Sequence, residues 1–466
     1  MFAGHGEYSG ATRPVRCLLD TWWRSSGPAY NGCASASCPS ARRAGSVRVI
    51  RAIAIGAVVV LTTAALTVAG LTWLPGLVVA DADTISAAEA WPSATAERPV
   101  PRPVPPVERI TIAAVGDLMA HMPQVTSASV AGGYDFTPCF AFVEPEIASA
   151  DLAIGNFETT LAGADRGFSG YPTFNTPDEF AQAAAGAGFD VLTTANNHVL
   201  DRGPSGVERT LDVLDGLGVR HTGSARTADE AGRILVEDVR GVKVAVLAYT
   251  YGMNGFTAPA DRPWMVNVID EAAMADAVME ARPLADIVVV SIHNGVEYRR
   301  QPSERQQRLE EAMIEAGADV VLGSHPHVIQ PMETVKVTDE DGAQRTGFII
   351  HSLGNFVSNQ RERYRNTGLV LRLGFEKDLE EGVTTLSFVE YVPVWVDDTD
   401  DSGREHRVLP IRAALDDADY PGVTSDDRAK MQQAWDDTTS HLGGTPDTSG
   451  PAGRVLFYGE PDVRRP

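Results

Sequence analysis

Hydrophobic positions along the chain fall into three regimes. Residues 52–80 form an apolar run without a single charged side chain. Pro75 predicts a helix end, leaving 52–74, a stretch of 23 residues. At ~1.5 Å rise it reaches roughly 35 Å, enough for a ~30 Å hydrocarbon core. Residues 81–108 hold Pro92, Pro99, Pro101, Pro103, Pro105 and Pro106 and few large apolar side chains, which predicts an extended, semi-rigid linker. From Arg109 onward, short apolar runs alternate with helical periodicity. Strands are expected at 110–115, 152–154, 191–194, 243–249, 287–291, 320–322 and 347–351. Helix starts are expected at three capping patterns, Thr176-Pro-Asp-Glu179, Ser205-x-x-Glu208 and Ser303-x-x-Gln306. Alternation of this kind predicts an α/β body with a mostly parallel sheet core. Between 370 and 396 the residues favour antiparallel strands that close the body. After 412 an acidic, partly disordered tail is expected, with one helix near 426–438.

Charge divides the chain further. The 466 residues carry 39 Lys+Arg and 62 Asp+Glu, formal net −23. Seven Arg and two acids precede Ala52, so the first 51 residues stand at +5 and the remainder at −28. A basic head before an apolar span predicts a cytoplasmic N-terminus and an extracytoplasmic body, held at the plasma membrane by one helix. The run is long for a cleaved leader, though Ala80-Asp-Ala82 offers a small-residue cleavage site and hence a secreted chain as the alternative. Net acidity excludes a general nucleic-acid binder, which needs a basic face. Of four Cys only Cys139 lies in the body, so no disulfide framework forms there.

The candidate chemistry lies where the expected strands end. In open α/β sheets ligands gather outside the carboxyl ends of strands. Those ends carry Gly116-Asp117, Gly155-Asn156-Phe-Glu158, Asn196-Asn197-His198, His293-Asn-Gly295 and Gly323-Ser-His325-Pro-His327. Carboxylates, an amide and several imidazoles on one rim suit two divalent ions, which can clamp a phosphate and activate a water. In His325-Pro-His327 the x-Pro step predicts extended backbone at His325. Arg299, Arg300, Arg361, Arg363 and Arg365 fall on two loops beside these ends and can supply a positive rim.

These motifs, with Glu297-Tyr298 and Ser352-Leu-Gly-Asn355-Phe356, resemble the CapA family over about residues 109–412. CapA proteins serve poly-gamma-glutamate capsule biosynthesis and are related to calcineurin-like metallophosphatases. The resemblance implies a four-layer α/β/β/α sandwich with a two-metal rim, the ions being Mn, Fe or Zn. By motif, Asp117 would bind the first ion and Glu158 would bridge or bind the second. Asn197 would bind the second, His293 and His325 the second or one each, and His327 the first. His198 would be the general acid or transition-state stabiliser, with Asp201 orienting it. Asn156, Glu297, Tyr298 and Asn355 would line the substrate pocket. The partners implied are an anionic polymer or a phosphate-containing substrate, and membrane synthase subunits. Two features depart from the wider superfamily. Asp117 is followed by Leu118 and Met119 where Asp-x-His is usual, so His121 is the nearest imidazole. The usual bridging Asp is Glu158. Besides a hydrolase, two alternatives stay open: a non-catalytic accessory subunit of a polymer synthase, and a secreted metal-dependent phosphoesterase.

Overall fold

Apart from a two-stranded pair at Ser129–Val130 and Gly133–Tyr134, the strands of the described residues run in two sheets whose inner faces share one apolar core. The computed structural model describes residues 106–338, 342–397, 406–446 and 453–459. The basic head, the 52–80 run and the linker up to residue 105 lie outside them. Among the described residues no helix is long and apolar enough to cross a membrane.

The chain first lays down β1 (Val107–Leu118), β2 (Leu152–Phe157), β3 (Val191–Thr193) and β4 (Arg220–Thr222), each parallel to the last. It then builds a second sheet from β5 (Leu235–Val239), β6 (Val242–Thr250), β7 (Ile287–His293), β8 (Val320–Ser324), β9 (Met332–Thr338) and β10 (Gln344–Ile350), in the order β9-β10-β8-β7-β6-β5. It returns to the first sheet through β11 (Asn355–Val357), parallel to β1, and the antiparallel β12 (Thr367–Asp378) and β13 (Thr384–Asp397). The short strand β14 (Arg407–Pro410) pairs with the end of β13.

Period-two alternation sets the layers. Ile110, Ile112 and Ala114 of β1 pack in one core with Val244, Val246, Ile287, Val289 and Val320 of the second sheet. Ala113 and Val115 face the other way, onto Phe136, Phe140, Phe180 and Ala184 of the helical layer. On the second sheet, Val288, Val290 and Val321 face Met274, Val278, Leu309 and Met313 of another helical pair. The result is a four-layer α/β/β/α arrangement. Strands buried on both faces read as continuous apolar runs, which is why they stand out in the sequence.

The opposite ends of the strands account for part of the acidity. Asp151, Asp190, Asp286 and Asp319 each precede a strand. Each accepts the N–H of a residue in the adjacent strand, Thr111, Ala153, Lys243 and Val288 respectively, at 2.7–2.8 Å. A backbone N–H at a sheet margin needs an acceptor, and one carboxylate per unit supplies it. Ala187-Gly-Phe-Asp-Val-Leu192 and Ala316-Gly-Ala-Asp-Val-Val-Leu322 are similar because both carry this device.

Two capping expectations fail. Thr176 pairs its hydroxyl with Thr159 at 2.6 Å, and the helix Asp178–Gly186 starts after Pro177. Ser205 lies inside the helix Gly203–Gly216, where Glu208 instead takes Arg262 at 2.6 Å. Ser303 does cap Glu304–Ala316, accepting from the Gln306 N–H.

Residues beyond 412 continue the fold. The helix Ser425–Leu442 opens with a Thr424–Asp427 capping box and places Met431, Ala434, Trp435 and Leu442 in the inter-sheet core cluster. Val455–Gly459 then pairs with β13. Sheet and core thus extend past the boundary expected at 412.

Candidate metal centre

The carboxyl ends of β1, β2, β7 and β8 meet at one rim, and β11 closes it. Asn355 lies beside Asp117 in parallel register, and the Asp117 N–H donates to the Gly354 carbonyl at 3.1 Å. This crossing explains Gly116: a Cβ there would stand 1.9 Å from the Gly354 oxygen.

Two groups of potential ligands form side by side. Donor atoms of Asp117, Glu158 and His293 lie within 4.8 Å of one another, as do those of Glu297, His325 and His327. His327 joins the groups. Its Nδ1 is 2.9 Å from Asp117 Oδ2 and 3.1 Å from Asn355 Oδ1, so it donates to those acceptors and leaves Nε2 toward Glu158 Oε1 at 3.9 Å. His293 Nε2 is 3.6 Å from Glu158 Oε1 and 3.0 Å from Asn197 Oδ1. The Asn156 amide sits behind, donating to Asp117 Oδ1 at 2.8 Å and lying 3.2 Å from His293 Nδ1.

The backbone here departs from expectation. His325 has φ +95° and His327 φ +57°, and Tyr298 has φ +64°. The extended conformation expected before Pro326 is not adopted. Non-glycine residues in this region each cost on the order of 1–3 kcal/mol and cluster at functional sites. Packing against Pro326 explains part of it, since the Tyr298 N–H donates to the Pro326 carbonyl at 2.7 Å.

Electrostatics favour a cation. Among the described residues no Lys or Arg pairs with Asp117 or Glu158, both fully buried. Burial, and then the neighbouring Asp117 charge, push the Glu158 carboxyl well above its usual range. Burial, with the neighbouring imidazoles, holds His293 well below its ordinary value and His325 down at about 3. Neutral imidazoles keep a lone pair to offer. Among the described residues Glu158 Oε1 and His325 Nδ1 are buried with no hydrogen-bond partner. A divalent ion is the kind of ligand that satisfies such a donor set.

Beside this rim His198 is held by the buried Asp201. His198 Nδ1 donates to Asp201 Oδ2 at 2.7 Å, which also accepts the Phe174 N–H at 2.7 Å. Phe174 packs edge-on against the imidazole with centroids 4.7 Å apart, and Tyr171, 74% exposed, lies 6.4 Å away.

The structure therefore brings Asp117, Asn156, Glu158, Asn197, His293, His325, His327 and Asn355 together, with His198 and Asp201 adjoining. Glu297 was expected as pocket lining and stands instead among the potential ligands. Tyr298 stacks near His327 at 6.2 Å. His121 does not join the donor set: it accepts the Asn359 N–H at 3.3 Å and packs on Phe174. Burial, with His327 and His198 nearby, lowers it to about 4. Tyr251 was overlooked. It lies just past the end of β6, 4.5 Å from the His325 ring and 6.5 Å from His293. An aromatic after a strand reads as core, yet the strand-end rule pointed to it. Ser324, 2.9 Å from His293 Nδ1, was also missed.

His351 turns away from the rim, to Glu310 and Glu333. Gln306 binds Glu310, Gln330 and the His351 carbonyl, and Gln330 holds the Arg299 carbonyl at 2.7 Å. This buried network anchors the loop that carries Glu297. Against the opposing effect of burial, the Glu310 carboxylate raises His351 above its ordinary value, and burial raises Glu310. A raised His351 contributes stability that is complete below about pH 6.5 and is lost as pH rises through its folded value. Raised Glu310 acts in the same direction. Unfolding midpoints are expected to fall from pH 6.5 upward, and a His351→Gln chain to lose up to about 1.4 kcal/mol per pH unit of that slope.

A family model described as bacterial capsule synthesis protein PGA_cap matches residues 111–360. Capsule biosynthesis protein CapA of Bacillus anthracis is 31% identical over 265 residues, 54% of this chain and 61% of that one. PGA biosynthesis protein CapA of Bacillus subtilis is 33% identical over 267 residues, 55% of this chain and 65% of that one. The chain thus spans less than two thirds of the length of these curated relatives. A solved structure described as a novel phosphatase from Mycoplasma pneumoniae aligns over 64% of this chain and 96% of its own, at 14% identity and TM-score 0.38.

Proposed function

The chain belongs to the bacterial capsule synthesis protein family, and from that membership we propose that it serves in making, exporting or attaching an anionic cell-surface polymer. Poly-gamma-glutamate, or a related acidic envelope polymer, is the polymer the relatives' names support. The body would act outside the membrane, carried by the 52–80 run. The observation that carries a two-metal reading is the pair of adjoining donor groups, with Glu158 Oε1 and His325 Nδ1 buried and unpartnered among the described residues. Asp117, Glu158 and His293, with Asn197, would hold one divalent ion, and Glu297, His325 and His327 the other. Bound there, such ions supply Lewis-acid stabilisation of a phosphoryl or carbonyl oxygen and an activated water. The protein's own part is to orient and to move a proton. Asp201 fixes the His198 ring, and Phe174 confines it, so that Nε2 can pass a proton to a leaving oxygen. Tyr251 and Tyr298 flank the imidazoles and narrow access to them.

A second reading is an accessory subunit without turnover. Met119, buried and apolar, stands where the wider superfamily has an imidazole, and a relative in Mycobacterium tuberculosis, 28% identical over 202 residues, bears the name probable polyglutamine synthesis accessory protein. The test is turnover by the full chain on phosphomonoesters, phosphodiesters and γ-linked glutamate oligomers. The enzyme reading expects hydrolysis that chelation removes and Mn²⁺ or Zn²⁺ restores. Full metal occupancy with no turnover establishes the accessory reading.

A further inference from the structure

A second feature lies beside the metal rim, and its charge is opposite to that of the body. Arg300, Arg361, Arg363 and Lys430 line a cavity of about 120 Å³ in which Asp437 is the single carboxylate among the lining residues. Arg361, Asn366 and Lys430 also line an adjoining cavity of about 230 Å³. Lys430 and Asp437 come from the helix Ser425–Leu442, and the arginines from the two loops beside the rim.

The side chains are arranged, not merely gathered. Tyr364 has φ +75°, a strained position for an aromatic residue. Two guanidiniums approach its ring, Arg300 at 4.3 Å and Arg363 at 4.9 Å from the centroid. Arg363 is neutralised by two bonds to Asp437, at 2.6 and 2.8 Å. Arg300 donates to the Asp437 carbonyl at 2.9 Å rather than to a carboxylate. Lys430 stands 3.8 Å from Asp427 and is mostly exposed. Trp395 lines the adjoining cavity, and its indole nitrogen is buried with no hydrogen-bond partner among the described residues. The cations suit an anion, and planar guanidiniums suit a carboxylate. The patch reaches the metal rim through the same loop. Arg365 lies 3.5 Å over the Tyr298 ring, and its carbonyl accepts the Asn355 amide at 2.7 Å.

We propose that this cationic groove, built from the 361–366 loop and the helix Ser425–Leu442, is a subsite for successive carboxylates of a polyanionic chain whose reacting end lies at the metal rim. The inference rests on the polymer reading above. It explains how a chain whose residues beyond 51 stand at −28 holds an acidic partner: local cations overcome the repulsion, and several carboxylates bound along one chain gain effective concentration.

The test measures binding of a labelled γ-linked glutamate oligomer, with free glutamate as comparison, to the full chain. Three forms are compared: wild type, the double variant Arg361→Glu/Lys430→Glu, and Lys336→Glu on the edge strand β9. Metal content reports that each form is folded. The subsite predicts that wild type prefers the oligomer to free glutamate by at least about tenfold. It also predicts that the double variant loses roughly tenfold or more in oligomer affinity with metal content unchanged, and that Lys336→Glu stays within about twofold. Equal binding by wild type and the double variant overturns the subsite and leaves the polymer reading standing, as does equal weakening by Lys336→Glu. Failure of wild type to bind the oligomer overturns both.

Discussion

A Gly116→Ala chain is expected to unfold at much lower denaturant and, on the two-metal reading, to purify without the proposed ions. The added methyl carbon would stand 1.9 Å from the Gly354 oxygen and 3.0 Å from its carbonyl carbon. Both are backbone atoms and cannot swing aside as a side-chain tip can. The strands must separate, and the bond from the Asp117 N–H to Gly354 is lost with them. Asp117 then leaves its place beside Asn156 and His327. Overpacking usually costs about 1–3 kcal/mol, and a backbone clash places this case at the upper end or above. Gly216→Ala is the control. Nothing lies within 4 Å of its added Cβ, and in a helix the change is expected to stabilise by about 0.5–1 kcal/mol. Equal midpoints for Gly116→Ala and wild type, with metal retained, would show that the crossing does not position Asp117.

On the enzyme reading, His198→Ala is expected to reduce turnover by roughly 10²- to 10⁴-fold while the proposed ions stay bound. His198 is outside both donor groups, so its loss removes a proton donor and no ligand. Asp201→Asn is expected to cost less and to change the pH profile of the rate, because the amide still contacts Nδ1 but no longer fixes the same ring tautomer. Turnover that is unchanged in His198→Ala rules out the acid role. Turnover lost together with metal makes His198 a structural support of the rim.

Much of this was legible from strand ends. Parallel strands buried on both faces leave apolar runs that are hard to mistake, and the polar residues after them converge because β1, β2, β7 and β8 point the same way. What the pattern could not show came from tertiary contacts. Thr176 and Ser205 carry the residue types of helix caps, but one is recruited by Thr159 and the other lies within a helix. The left-handed backbone at His325 depends on loop packing, which overrides the preference of a residue before proline. Glu297 reads as pocket lining until the fold sets it across from His325 and His327. The helix Ser425–Leu442 was half legible. Its acids suggested a tail, while Met431, Ala434, Trp435 and Leu442, spaced along one face, anchor it in the core. Its packing is also what brings Lys430 to the cationic groove.

The central claim is that one rim holds two divalent ions, and metal stoichiometry tests it most directly. The full chain, purified without chelator and supplied with Mn²⁺ or Zn²⁺, is expected to carry two ions per chain by elemental analysis. Asp117→Ala is expected to lose at least the ion shared with Glu158 and His293, and Glu297→Gln the other. A wild-type chain that binds no transition metal, or that binds the same number after Asp117→Ala, contradicts the account.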